Sequence, residues 1–376
     1  MAAGVYLHIP FCKSRCSYCD FATDVYRTSE AVERYVSALS KEIATFATQV
    51  RTTDDKVDAI YFGGGTPSLL NPDQVSRILD AVGTCFDVIP AAEITMEMNP
   101  ATVTAETLAV YKILGVNRAS FGVQTFNDRD LKLLARGHNS DDARHTFQML
   151  RDAGYQNISF DLIIGLPDQS LGDWDRNLDE AWKMDPEHLS LYLLEIHEGT
   201  PLAEQIRSER RPLPDEELGA HMYELMLEKI KATDFEQYEI SNFSKPGFES
   251  RHNTKYWRLE PVYGFGVSAH SFNGRERYAN DRDTSAYVNK IENDGTAEVM
   301  RETTDAALEF IFLGLRLNRG IDLAEYGERF DIDLMDRHST EIYRLEEAGL
   351  INLSGRRMSL TEKGMLFSTE VFAAFV

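Results

Sequence analysis

The chain has 376 residues, 43% of them hydrophobic and 27% charged, which is the balance of a folded globular protein and excludes a disordered one. A formal net charge of -22 argues against a general nucleic-acid binder, because phosphate contacts need a basic face. No apolar run reaches membrane-span length and no signal-peptide pattern precedes the first strand, so a cytoplasmic protein in a reducing compartment is expected.

Short apolar runs rich in β-branched and aromatic residues predict strands at 5–9, 59–62, 94–98, 118–122, 158–164 and 189–194. Amphipathic stretches predict helices between them, at 30–49, 72–85, 105–114, 141–153 and 171–184. This alternation implies parallel βαβ units with right-handed crossovers. Motif-bearing turns follow one strand end after another, which favours an α/β fold of the partial (β/α)6 TIM-like barrel type over an open doubly wound sheet. After about residue 200 the rhythm changes, with a helix at 216–231 and a segment at 243–273 rich in glycine and aromatics. Helical stretches at 306–317, 323–330 and 334–348 precede two short strands at 350–353 and 357–360 and a last helix from Thr361. That order is winged-helix-like, and Glu341, Glu346, Glu347 and Glu362 suit a structural or docking module better than DNA binding. The predicted division is 1–240 for the barrel, 241–300 for a connecting segment and 301–376 for the C-terminal α+β domain.

Three of the four cysteines fall in Cys12-Lys-Ser-Arg-Cys16-Ser-Tyr-Cys19, directly after the first strand. Thiolates this close on an irregular loop can share one soft metal centre, as in iron–sulfur proteins. A structural zinc site usually takes four ligands from two pairs, and no second pair exists, because Cys85 stands alone in a helical pattern as a small core residue. Three ligands on four irons leave one iron open for chemistry. Other polar motifs sit at later strand ends: Gly63-Gly64-Gly65-Thr66-Pro67, Glu97, Gln124, Arg136-Gly-His138 and Asp161. Glycines let the backbone approach a ligand and expose N–H donors, and an acid inside the apolar run around Asp161 needs a partner. Each of these, taken singly, is equally compatible with a structural role.

The segment Tyr6-Leu-His-Ile-Pro-Phe-Cys12-x3-Cys16-x2-Cys19 resembles the signature of the radical S-adenosylmethionine (SAM) family, and His8-Ile9-Pro10-Phe11 resembles its coproporphyrinogen-oxidase-like branch. The resemblance implies a [4Fe-4S] cluster on Cys12, Cys16 and Cys19, with SAM chelating the open iron and being cleaved to a 5′-deoxyadenosyl radical once the cluster is reduced. It also implies that Tyr6, Gly64, Gly65, Thr66, Glu97, Gln124, Arg136 and Asp161 line the SAM region, and that a flavodoxin or ferredoxin supplies the electron.

The oxidase of this branch carries a fourth cysteine where this chain has Phe21, and an extension of several turns where this chain has eleven residues before Cys12. Both departures weigh against porphyrinogen decarboxylation. His252-Asn253-Thr-Lys-Tyr256-Trp257 resembles the HNxxYW signature of the HemW-type haem chaperones, the non-oxidase members of the branch. That implies haem or porphyrin and a haem-acceptor protein as partners, with His252 as candidate haem ligand. On this reading Tyr256, Trp257 and Tyr263 face the macrocycle, with Lys255, Arg251 or Arg258 near its propionates. The residues alone also allow a His–Asn pair closing a loop, with the aromatics packed under the barrel. Three readings stand: a haem carrier, an oxygen-independent coproporphyrinogen III oxidase, and a docking protein with a structural metal clip. A homodimer is left open.

Overall fold

The computed structural model describes residues 2–49 and 56–375. Six parallel strands carry the first half: β1 (Ala3–Ile9), β2 (Lys56–Gly64), β3 (Asp87–Met98), β4 (Arg118–Gln124), β5 (Ile158–Ile164) and β6 (His188–Leu193), lying side by side in chain order. Helices Ser29–Gln49, Pro72–Cys85, Ala105–Ile113, Ser140–Asp152 and Leu171–Met184 form the crossovers. Four of them open on reciprocal caps, Asn71 with Gln74, Thr104 with Thr107, Asn139 with Asp142 and Ser170 with Asp173. Each cap satisfies amides that a helix start leaves without partners. β3 begins at Asp87, well before the predicted 94, because its first residues pair with β2 without an apolar pattern.

Side chains alternate across this sheet. Val5, Leu7, Ile9, Phe62, Met96, Phe121, Phe160 and Leu189 join the apolar core with the helices. The alternate positions are polar, and they include Tyr6, His8, Tyr61, Glu97, Arg118, Asp161 and His188.

The sheet is curved. Ser17, in the loop after β1, donates its amide to the Leu134 carbonyl at 2.9 Å and its hydroxyl to the Leu133 carbonyl at 3.1 Å, both at the end of the short helix Asp128–Leu133 that follows β4. The Ser17 carbonyl accepts from the amide of Leu202, beyond β6, at 2.8 Å. In a flat sheet β1 and β4 would lie about 14 Å apart. Loops from β1, β4 and β6 therefore gather around one mouth, as the partial barrel requires.

Among the described residues the sheet runs to twelve strands. Beyond β1, Val262–Phe265 adds a parallel strand, followed by antiparallel His270–Phe272, Glu276–Asn280 and Glu298–Thr303. Beyond β6 come antiparallel Asn242–Ser244 and Glu236–Gln237. The segment at 243–273 thus contains strands and a helix, Arg251–Trp257, that its sequence concealed. Gly264 is the reason in one place: a Cβ there would lie 2.4 Å from the carbonyl oxygen of His270, so a strand residue with no side chain is needed.

The last part opens with three helices, Ala306–Leu315, Leu323–Phe330 and Leu334–Glu347, continues with a hairpin of Ile351–Ser354 with Arg357–Leu360, to which Ile321–Asp322 adds a third strand, and ends in two short helices, Glu362–Leu366 and Ser368–Ala373. This is the winged-helix arrangement. Among the described residues no helix is long and apolar enough to cross a membrane.

Candidate functional site

Cys12 closes a two-residue strand, Phe11–Cys12, that pairs with Asp24–Val25, so residues 13–23 form a flap tied at both ends. Cys12, Cys16 and Cys19 are free thiols, each partly exposed. Burial pushes the Cys12 thiol up to about 11 and raises Cys19, and negative charge on neighbouring cysteines adds to both. Such thiols stay protonated until a metal centre takes up their charge. Among the described residues no three ligands already converge on a single-ion point. Three sulfur donors on one flap are the ligand type that iron–sulfur clusters take.

A chain of hydrogen bonds links two of these sulfurs. The Thr66 hydroxyl donates to Cys12 Sγ at 3.6 Å and accepts from Asn99 Nδ2 at 2.7 Å. Asn99 Oδ1 accepts from Arg136 Nη2 at 2.6 Å, and Arg136 Nη1 donates to Cys16 Sγ at 3.3 Å. Arg136 also holds the Gly122 carbonyl at 2.6 Å. Donors aimed at thiolate sulfurs stabilise the charge and raise a cluster's reduction potential.

Beside the flap the glycine turn forms a cradle. Gly64 sits at φ +106°, and a Cβ on it would come within 2.6 Å of the His8 ring; one on Gly65 would meet the Pro10 carbonyl at 2.6 Å. The Gly64 amide and the Tyr61 hydroxyl donate to the two oxygens of Glu97, at 3.1 and 2.7 Å. Burial, with the Asp161 charge adding to it, lifts Glu97 to about 7, while burial lifts Asp161 to about 6 against the nearby Ser190 hydroxyl and the arginines Arg118 and Arg136. Gln124 occupies φ +69°, in the left-handed region, where β4 breaks register with β5. Burial pushes His8 down to about 4, so its imidazole is neutral; Nε2 donates to the Ala22 carbonyl at 2.8 Å, which leaves Nδ1 to accept from the Tyr6 hydroxyl at 3.0 Å. A cradle that lacks side chains, beside two acids held above their usual range, fits a ligand with hydroxyls and positive charge, which SAM provides.

These acids give a pH dependence. The folded, ligand-free protein retains protons on Glu97 and Asp161 that the unfolded chain releases near pH 4, so these two acids contribute a loss of stability as pH rises from about 4 to about 7, opposed over the same range by the buried neutral histidines His8 and His252. Urea midpoints across that range check the acids' share: Glu97→Gln and Asp161→Asn should each turn the profile toward stability that rises with pH, and variants with the wild-type slope contradict it.

His252 lies at the other end of the barrel. Its helix, Arg251–Trp257, rests its first amide on Glu93 at 3.0 Å, and Lys255 is buried against Asp58, Glu260 and the Ala2 carbonyl at 2.8, 3.0 and 2.6 Å. The His252 ring stacks on Tyr61 at 4.5 Å and on Tyr6 at 5.7 Å, and among the described residues its buried Nδ1 has no hydrogen-bond partner. Burial holds it down to about 3, so it too is neutral. The motif is thus a helix and closes no loop. Several of its expected neighbours point elsewhere. Tyr263 packs with Phe46 and Phe86 in the core, each at 5.4 Å, because strand alternation turns it to the helix side. Lys255 is taken up by its carboxylates, Arg251 holds the Ala91 carbonyl at 2.8 Å, and Trp257 lies under Arg316 at 4.3 Å. Tyr256 lines an open cleft. His138 is buried with Nε2 on the Val123 carbonyl at 3.4 Å.

Sequence reasoning did not single out Asn99, Tyr61 or Arg118. Arg118 is fully buried inside the barrel, and its charge is felt by Glu93, Glu97, Asp161, His188 and His252. The signal available for Asn99 was its place two residues after Glu97 at a strand end.

The pattern of the Radical SAM superfamily matches residues 6–181, and that of the HemN C-terminal domain matches residues 302–367. "Heme chaperone HemW" of Bacillus subtilis is 37% identical, covering 99% of this chain and 99% of that protein. The chain belongs to the HemW family of radical SAM proteins. "Radical S-adenosyl methionine domain-containing protein 1, mitochondrial" of Bos taurus is 34% identical over 96% of this chain and 85% of its own. The solved coproporphyrinogen III oxidase HemN of Escherichia coli superposes with a TM-score of 0.87 over 100% of this chain and 90% of that one, at 23% identity, which shows a shared fold. As a radical SAM protein the chain takes a [4Fe-4S] cluster and SAM, and the flap thiols and glycine cradle fit both.

Proposed function

We propose that this protein is a haem chaperone, which binds haem and passes it to an acceptor protein. Cys12, Cys16 and Cys19 hold the cluster, and Tyr6, Gly64, Gly65, Thr66, Glu97, Gln124, Arg136 and Asp161 surround SAM. The cluster and SAM together supply one-electron chemistry, with an electron donor of the flavodoxin or ferredoxin class. The observation that carries this reading is the full-length likeness to the Bacillus subtilis haem chaperone. It is supported by Phe21 in the flap, where the oxidases have a cysteine, and by the buried neutral imidazole of His252 in its HNxxYW helix. His252 stands as one candidate iron donor, reachable by a macrocycle only after the Tyr61 and Tyr6 stack opens. The division at 240 and 300, a cytoplasmic location and a homodimer complete the proposal.

The test is an anaerobic titration of cluster-loaded protein with haem, followed by mixing with a haem-free acceptor. About one haem per chain and its loss to the acceptor are expected. Conversion of coproporphyrinogen III to protoporphyrinogen IX by the reduced protein, with no haem binding, would replace this reading with the oxidase.

A further inference from the structure

The cleft that Tyr256 lines has a volume of about 390 Å³, within the span of small-molecule sites, roughly 300–1,000 Å³. It opens between the flap residues 20–22 and the edge strands beyond β1, and its walls include Tyr6, His8, Phe21, His270 and Arg282. His270 opens the strand His270–Phe272 with its side chain exposed, and among the described residues its ring has no hydrogen-bond partner. Partial burial and the Arg277 and Arg282 charges lower its pKa, which favours the neutral imidazole that iron takes as a ligand.

The walls are equally specific. Phe21 is 67% exposed, an aromatic face without cover at the lip. Arg282 donates to the Asp20 carbonyl at 2.7 Å but meets the Asp20 carboxylate only at 3.4 Å. Charge-assisted pairs run to about 2.7–2.9 Å, so the guanidinium can still take a ligand carboxylate. An open imidazole, an aromatic lip and an available guanidinium match one chemical class, an iron porphyrin with propionate groups.

We infer that haem docks first in this cleft, with His270 as its iron ligand and Arg282 as a propionate partner, ahead of any contact with His252. This rests on the haem-chaperone reading. It accounts for how an open site could precede a buried one: His8 lines the cleft and accepts from Tyr6, whose ring stacks on His252.

Full-length, cluster-loaded protein is titrated with ferric haem, read by the Soret band and the ferric EPR signal. His270→Ala should weaken binding about tenfold or more and shift the Soret band, with added imidazole restoring it. Arg282→Ala should weaken binding about threefold without moving the band, and His252→Ala should keep the Soret band of the first bound haem where the wild type has it, since the ligand there is His270. Iron content and circular dichroism report folding; if His270→Ala misfolds, His270→Gln is read instead. Unchanged affinity and Soret band in the His270 variant overturn the site while leaving the chaperone reading intact, as does loss of first binding on His252→Ala alone. Absence of haem binding by the wild type overturns both.

Discussion

Cys16→Ala protein, prepared without oxygen, is expected to lack broad iron–sulfur absorbance and to lose SAM binding with it. The flap supplies three thiols, and Cys85, the remaining cysteine, is buried in the helix Pro72–Cys85 on the core side. No spare ligand can replace the missing one. Two thiolates cannot retain a four-iron cluster against solvent, so iron should fall about tenfold or more relative to wild type. The fold should survive, because the flap is anchored independently: Asp24 and Tyr26 amides bond to the Pro10 and Cys12 carbonyls at 2.8 and 2.7 Å. Iron and sulfide assays with circular dichroism check both halves. A Cys16→Ala chain that stays brown with normal SAM uptake would refute the assignment.

Asn99→Leu is expected to have the next largest effect. The substitution keeps the branching at Cγ but removes both links of the amide, the acceptor for Arg136 and the donor to Thr66. A half-buried guanidinium then loses a short charge-assisted bond, and the Thr66 hydroxyl loses the donor that orients it toward Cys12 Sγ. Losing a hydrogen bond to a charged group costs about 1.5–3 kcal/mol, and an unfilled partner adds to it. Thermal unfolding should show that loss, and the cluster's midpoint potential should move negative as sulfur-directed donors weaken. Asn99→Asp preserves the acceptor for Arg136 and should keep stability closer to wild type. An unchanged potential and midpoint in Asn99→Leu would mean that the chain of bonds does not act on the sulfurs.

Much of this was legible in the sequence, for a physical reason. β1 to β6 and their helices announce themselves because each buries one face against the other, so apolar periodicity records them. The cysteine flap and glycine turn are local motifs with their chemistry on the surface of the sequence. What stayed hidden is non-local. Asn99 joins Thr66 to Arg136 only because three strand ends curve toward one mouth, and Lys255 meets Asp58 only because a late helix seals the base of the barrel. The strand Val262–Phe265 escaped notice because its glycine breaks the alternation that marks strands. The HNxxYW helix is seven residues long, too short for its periodicity to register.

The position of β1 carries a consequence for biogenesis. It pairs with β2 on one side and with Val262–Phe265 on the other, so a strand translated early gains its second neighbour only after some 250 further residues have been made. Until then its backbone rim, directly ahead of the thiol flap, remains open to pairing with other chains. Iron insertion into nascent or C-terminally truncated chains would therefore compete with aggregation, and maturation of the metal centre should follow release from the ribosome.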